Sequence, residues 1–320
     1  MAKTENQRKS YALDQSPLYK LRSRRKLAAL FDMSVNDLER LAKRSDNYRK
    51  FTIGKNSNKP RKVEEPKPRL ERLHRRLFNL LVRIDPPAYL HSGIKGKSYI
   101  TNAREHIGSE TLITLDIRNY FPSTLGWHVF DFYHDIMCCS RDVAGVLTTI
   151  CTCDNHVPTG SCLSQIIAFY AHYRMFEEIY GLTSSRGLTM TCYVDDITVS
   201  GKNASQAILY QVRGILKKRG LASHPKKERV FGKNQPKEVT GSIVVQDDLR
   251  LPNRKHKKIY EEINQLLRQD DTREKVKMIG VTLGRAIAAS QSDIILGRRV
   301  AALVQEKNRV VKLVEKSGLD

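Results

Sequence analysis

Leucines 70, 73, 77, 80 and 81 recur at helical spacing, with arginines on the opposite face. The pattern predicts an amphipathic helix over 68–84, ended by Asp85-Pro86-Pro87. Upstream, 48–53 reads as a strand, 54–60 as a basic loop and 61–63 as a second short strand stopped at Pro66. Residues 110–117 form a β-rich run that ends on Asp116, and 119–123 turn out of it. The stretch 127–151 is mixed and helical, with Trp127 and Phe130 expected to face inward. Pro158 to Ser161 breaks the chain before a helix expected over 163–180. Two short β runs, 190–194 and 197–200, meet at Asp195-Asp196. Beyond them come an amphipathic helix over 206–219, a strand over 238–245 and three helical segments from Leu251, with breaks near Asp270-Asp271 and Ser292. At the amino end, 18–31 is helical and carries Lys20, Arg22, Arg24, Arg25 and Lys26. Ser34-Val35-Asn36-Asp37 reads as a capping box opening a helix through Arg44.

Composition changes this picture in two ways. With 40% hydrophobic residues in 320, the chain can bury a large core, yet no apolar run approaches the ~20 residues of a membrane span. Residues 1–11 lack the apolar stretch of a secretory signal, so the six cysteines are expected to be reduced thiols in the cytoplasm. A zinc site from Cys138, Cys139, Cys151 and Cys153 with His134 or His156 fits no standard knuckle spacing and is set aside. Charge is the second change. The net value is +22, but 101–200 holds only 5 Lys/Arg against 11 Asp/Glu. A basic shell around an acidic centre suits a nucleic acid held by its phosphates, with cations at the middle.

The acidic centre has one conspicuous feature. Neighbouring side chains of a straight strand point to opposite faces, so Asp195 and Asp196 can share a site only at a hairpin tip. There they repel unless divalent cations compensate, and magnesium favours such carboxylate oxygens. An Asp-Asp in a solvated turn is the plain alternative. A third carboxylate, Asp116, ends a strand about eighty residues earlier. Together they are the ingredients of a two-metal phosphoryl-transfer site, in which the ions sit ~3.5–4 Å apart. The loop Gly93-Ile94-Lys95-Gly96-Lys97-Ser98 could approach phosphates but does not match a Walker A pattern.

At these residues the chain resembles reverse transcriptases. Leu115-Asp116-Ile117-Arg118-Asn119-Tyr120-Phe121-Pro122-Ser123 is similar to their motif A, and Tyr193-Val194-Asp195-Asp196 to motif C. Asn102-Ala103-Arg104-Glu105-His106 and Val239-Thr240-Gly241 resemble two elements of the retron type, the bacterial enzymes that make multicopy single-stranded DNA joined to RNA. The likeness runs in order from about residue 48 to 241. It implies that Asp116 and Asp195 ligate two Mg2+ ions, that Asp196 supports them and that the Ile117 carbonyl helps hold one. Phe121 falls at the steric gate against a ribose 2′-hydroxyl, with ordinary core packing as the alternative. Arg61 falls where the triphosphate is contacted, and Thr159 and Gly160 belong to the nucleotide-binding motif B. Lys227, with Lys226 as rival, falls where motif D supplies a proton. Lys95, Lys97, Asn102, His106, Val239, Thr240 and Gly241 are the candidates for nucleic-acid contact, although His106 could be a buried structural histidine instead. The sequence departs from the family's pattern at Thr159, where glutamine is usual, at Ser164-Gln165 in place of Ser-Pro, and at His224 in place of asparagine.

The fold implied is α+β, a right hand of fingers, palm with antiparallel sheet and helical thumb. The expected divisions are a basic helical extension (1–47), fingers (48–107 and 124–158), palm (108–123 and 159–246) and thumb (247–320). The implied activity is RNA-directed DNA synthesis, primed at a guanosine 2′-hydroxyl of a dedicated structured non-coding RNA and leaving a branched RNA–DNA product. The expected partners are that RNA, the product, deoxynucleoside triphosphates and a separate effector protein of an antiviral defence system. No ribonuclease H, endonuclease or effector domain is expected within 320 residues, and no membrane is involved. Two alternatives remain: another reverse transcriptase or RNA polymerase class, and a scaffold whose RNA–DNA complex restrains the effector.

Overall fold

Ser23 and Ser34 each accept a first-turn backbone N–H, from Lys26 and Asp37. Helices α1 (Arg24–Leu30) and α2 (Val35–Ala42) therefore begin where a side-chain oxygen satisfies an otherwise unpaired donor. The computed structural model describes residues 10–54, 60–269, 272–291 and 294–317. After α2 comes an antiparallel hairpin, β1 (Tyr48–Ile53) with β2 (Arg61–Pro66), in which Arg61 pairs with Ile53 and Glu64 with Lys50. Most of the basic loop expected between them, 55–59, lies outside the described residues. Helix α3 (Pro68–Leu81) buries the predicted leucines 70, 73, 77 and 81 together with His74. Ser98 and Thr101 then form a reciprocal capping box on α4 (Tyr99–Arg104), the helix that carries Asn102.

The central sheet has the order β4-β5-β3-β6 and is antiparallel throughout. Strand β3 (Thr111–Asp116) leads into a short helix, α5 (Tyr120–Ser123), then α6 (Gly126–Asp131), a π-helical turn and α7 (Arg141–Cys151). Helices α8 (Ser164–Ala171) and α9 (Tyr173–Ser184) precede the hairpin of β4 (Thr189–Tyr193) and β5 (Asp196–Gly201). Next come α10 (Gln206–Lys218) and β6 (Arg229–Phe231). A small separate sheet follows, made of β7 (Lys237–Val239), β8 (Ser242–Val244) and β9 (Leu249–Arg250). Helices α11 (Asn253–Leu267), α12 (Thr272–Ser290) and α13 (Ile294–Ser317) follow; the breaks expected at Asp270-Asp271 and Ser292 fall on residues outside the described ones. Helices, an antiparallel central sheet and a terminal helical bundle make this the expected α+β right-hand polymerase fold. None of the described helices is long and apolar enough to cross a membrane.

Three local expectations are corrected. The helix expected over 163–180 is two, because His172 leaves helical geometry (φ −110°, ψ 17°) while its ring bonds the Thr124 hydroxyl at 3.1 Å. Trp127 does not face inward. It is 44% exposed, and Arg219 lies 4.8 Å from its ring, while His128 and Val129 take the inward positions of α6. The strand expected over 238–245 is the hairpin β7–β8. Thr240 and Gly241 both have positive φ (44° and 83°), the geometry of a tight primed turn.

The core holds several buried histidines kept neutral. Burial pushes His74 down to about 4 and His106 to about 3, and holds His172 well below its usual range. Folded values below the unfolded 6.5 mean that the associated stability is intact above about pH 6.5 and is lost as pH falls toward 4. Thermal melts from pH 7 to 4 are expected to show this decline. Replacing His106 with glutamine should flatten it by about 1.4 kcal/mol per pH unit. An unchanged slope would place the acid sensitivity elsewhere.

Candidate active site

Asp116 is the last residue of β3, and in the antiparallel register its Cα partner is Asp196, the first residue of β5. Opposed residues of a ladder share a face, so two carboxylates remote in sequence meet by strand pairing alone. Asp195 joins them from the two-residue turn Val194-Asp195. That turn needs φ near +59° at Val194, a conformation that a β-branched residue seldom adopts. Two bonds hold it: the Val194 N–H donates to Ser92 Oγ at 3.0 Å, and the Ile117 N–H donates to the Asp195 carbonyl at 2.8 Å. Sequence reasoning missed Ser92, since nothing local marks a serine a hundred residues away as a turn anchor.

The third element is a 3-10 turn, Pro225–Lys227, placed by His224, whose N–H donates to the Asp116 carbonyl at 2.8 Å. From it the Lys227 ammonium donates to Asp116 Oδ2 as an ion pair, which raises the lysine's pKa. Between the rival lysines, it is therefore Lys227 that touches a candidate metal ligand. Burial, then the Asp116 charge, pushes the Asp195 carboxyl up; Arg61 and Lys227 counter in part. Asp196 is pushed up to about 7 by burial and then by Asp195 and Asp116. The site thus concentrates negative charge beyond what its own cations offset, and oxygen donors of this kind fit hard divalent ions. Beside it opens a cleft of about 830 Å3, with Tyr193, Asp196, Lys226, Lys227, Arg229 and Lys255 among its walls. Arg229 and Lys255 were not singled out from sequence, because only the fold brings the start of α11 to the sheet.

The other candidates divide into two groups. Some lie toward the site. The Arg61 charge acts on Asp195, and Phe121, half-buried on α5, packs its ring 5.6 Å from Tyr120. Thr159 donates its hydroxyl to the Lys62 carbonyl at 2.8 Å, fastening the loop before α8 to β2. A Cβ on Gly160 would come 2.8 Å from the Glu64 carbonyl, so Gly160→Ala is expected to lift that loop. Nucleotide KM should rise about tenfold with a smaller change in kcat; a steady-state profile matching wild type would show that the loop does not hold the nucleotide.

The second group packs mainly against the protein itself, and the burial of Asn102 and Val239 corrects their assignment to nucleic-acid contact, while Thr240 and Gly241 also line the cleft beside the carboxylates. His106 is fully buried, with Nδ1 2.7 Å from Ser200 Oγ and Nε2 2.7 Å from Thr191 Oγ1, so it is the buried structural histidine of the alternative reading and braces the sheet. Asn102 is 1% exposed and Val239 fully buried; Val239 packs with Ile100, Ala103 and Leu112. Thr240 donates to the Tyr99 carbonyl at 2.8 Å, and the Gly241 carbonyl accepts from Lys255 at 2.6 Å. The two retron-like elements are thus one packed unit joining α4, the β7–β8 turn and α11. Lys97 spends its ammonium on the Ala88 and Leu90 carbonyls (2.6 and 2.9 Å), bracing its own loop. Lys95 lies in that loop and is exposed. The sulfur-rich zinc set set aside above does not assemble: Cys139 bonds the Leu18 carbonyl and Cys151 lies against Tyr133.

Comparison with known proteins points to one family. The family described as "Reverse transcriptase (RNA-dependent DNA polymerase)" matches residues 41–283. The retron Se72 reverse transcriptase of Salmonella heidelberg (strain 579083-10) is 34% identical over 178 residues, covering 54% of this chain and 47% of that protein. The retron Ec86 reverse transcriptase of Escherichia coli is 28% identical over 240 residues, covering 73% and 75%. The chain thus spans about half the length of the first relative and three quarters of the second. A solved foamy viral protease–reverse transcriptase in complex with double-stranded DNA is 16% identical, with TM-score 0.46, over 84% of this chain and 43% of that one.

Proposed function

This chain belongs to the reverse transcriptase family, with retron enzymes as its relatives, and on that premise we propose that it builds DNA on an RNA template by two-metal nucleotidyl transfer. The observation that carries the reading is the convergence of Asp116, Asp195 and Asp196 on one end of the sheet. Two magnesium ions bound there would activate the attacking hydroxyl and offset charge on the triphosphate. The chain's own part follows from its geometry. Asp116 and Asp195 hold the acidic oxygens in place; Asp196 supplies further negative charge behind them. Arg61 approaches the triphosphate from the fingers, and Lys227, once released from Asp116, is placed to donate a proton to the departing pyrophosphate. Phe121 guards the ribose.

In this reading residues 48–107 and 124–158 serve as fingers, 108–123 and 159–246 as palm and 247–320 as thumb, with 1–47 a basic extension. The template and primer are a structured non-coding RNA, extended from a guanosine 2′-hydroxyl into branched single-stranded DNA, and a separate effector protein in antiviral defence completes the proposal. Sequencing the nucleic acid that co-purifies with the chain tests it. A single RNA joined through a branch to DNA is the expected result; bulk cellular RNA without linked DNA would overturn the retron reading.

A further inference from the structure

Away from the palm carboxylates, a second group of metal-ligand side chains comes together on the fingers side. Cys153-Asp154-Asn155-His156 is a two-residue hairpin: the Cys153 N–H donates to the His156 carbonyl at 2.8 Å, and the His156 N–H to the Cys153 carbonyl at 3.0 Å. Asp154 and Asn155 have φ of 47° and 63°, the primed turn that Asp and Asn tolerate better than other non-glycine residues. Residues paired across such a turn present their side chains on one face, so Cys153 and His156 lie on the same face of this hairpin. Strand β2 adds Glu64, whose two carboxylate oxygens lie 3.0 and 3.1 Å from His156 Nε2. One donor atom each from Glu64, Cys153 and Asp154 lies within 4.8 Å of the others, and His156 reaches this set through its bond to Glu64.

The chemistry of this set differs from that of the palm. It combines sulfur, imidazole nitrogen and carboxylate oxygen, a mixture that suits zinc and its transition-metal neighbours and not magnesium. Ligands on a tetrahedral zinc sit roughly 3.3–3.8 Å apart, so the Glu64–His156 contact needs to open by only a few tenths of an ångström. Cys153 is 5% exposed and the Glu64 side chain 12%, so two acidic groups sit largely out of water with His156 as the basic side chain bonded to Glu64. Asp154 is held outward by Lys50 at 2.6 Å, a surface pair that is weak and easily exchanged.

We propose that Cys153, His156, Glu64 and Asp154 form a structural site for one zinc-class divalent ion, tying β2 to the segment that enters the Pro158-Thr159-Gly160 loop. Binding releases to solvent the Cys153 thiol proton and the proton that His156 Nε2 donates to Glu64, and frees Lys50 from Asp154. The bound ion fixes the strand that starts at Arg61 against the loop that Thr159 already fastens to Lys62. Nothing in the site depends on what the chain polymerises.

The test is metal binding by the full-length protein, stripped with chelator and then held in excess Mg2+ to occupy the palm carboxylates. Elemental analysis after zinc loading and gel filtration is expected to give one zinc per chain. Titration with Co2+ should produce a thiolate-to-cobalt charge-transfer band with tetrahedral ligand-field bands, all displaced by Zn2+. Cys153→Ser should abolish the charge-transfer band. His156→Ala and the conservative Glu64→Gln should weaken zinc by at least about tenfold. Cys162→Ser, which removes the exposed thiol, should leave the spectrum as in wild type. Circular dichroism establishes that each variant is folded. Should Cys153→Ser fail to fold, Glu64→Gln reads the same site. Substoichiometric zinc in the wild type, or a charge-transfer band that survives Cys153→Ser, would overturn the proposal.

Discussion

Asp195→Asn is expected to reduce DNA synthesis by about 10^3-fold or more while making the metal-free protein more stable at neutral pH. Asparagine keeps the shape of the turn, and the backbone bond from Ile117 to residue 195 does not involve the side chain. What it removes is one of three converging charges, and losses of this order are usual when a group stabilising the transition state is deleted. The stability gain comes from relieving repulsion. Asp196 titrates near 7 in the folded chain because it is buried and faces Asp195 and Asp116, against 3.8 for an ordinary aspartate. A carboxyl raised in this way contributes stability below about pH 3.8, and that stability is lost as pH rises toward 7. Removing the Asp195 charge lowers the Asp196 pKa and shrinks the loss. Comparing melts of wild type and variant in chelator at pH 5 and 7.5 isolates this from the histidines, which act in both proteins and with the opposite sign. Magnesium should then stabilise the wild type more than the variant, by up to about 3 kcal/mol at a hundredfold excess over Kd. Synthesis within tenfold of wild type, or melts that change identically with pH and magnesium, would remove Asp195 from the site.

Much of this site was legible because it is written in strand endings. A run that stops on Asp116 and a hairpin that turns at Asp195-Asp196 need only antiparallel pairing to meet, and pairing is what β-rich runs of this length do. The leucines of α3 were equally plain, since one apolar stripe has one way to be buried. What stayed hidden depends on partners far away in the chain. Trp127 looks like a core residue until Arg219, 92 positions on, covers its ring. Val239-Thr240-Gly241-Ser242 reads as an uninterrupted β run, because one glycine does not announce two consecutive left-handed residues. His106 and Asn102 share a sequence element with exposed polar neighbours, and only burial separates a residue that braces the sheet from one that meets RNA. Recurrence of a motif marks that a position matters. Its burial says how.

Phe121→Ala is expected to cut discrimination against ribonucleotides by about 10- to 200-fold, with deoxynucleotide incorporation falling only a few-fold. Phe121 follows Asp116 by five residues, and the left-handed Asn119 (φ 49°) swings α5 off the strand end just before it. The ring is anchored on one side by Tyr120, which is buried, and by the core, while part of it stays exposed. A ring anchored in this way cannot retreat from a 2′-hydroxyl, and excluding that group sterically is worth about 1–3 kcal/mol. Alanine opens the space but also leaves a partial cavity beside Tyr120, so some loss of stability follows, smaller than for a fully buried phenylalanine. Phe121→Tyr separates the two effects, because it keeps the ring's bulk and should keep the discrimination. The measurement is the ratio of kcat/KM for deoxy- and ribonucleoside triphosphates in single-nucleotide extension, at a temperature where all three proteins are folded. If the alanine variant keeps the wild-type ratio, Phe121 is a packing residue of α5, and the ribose must be read by another side chain.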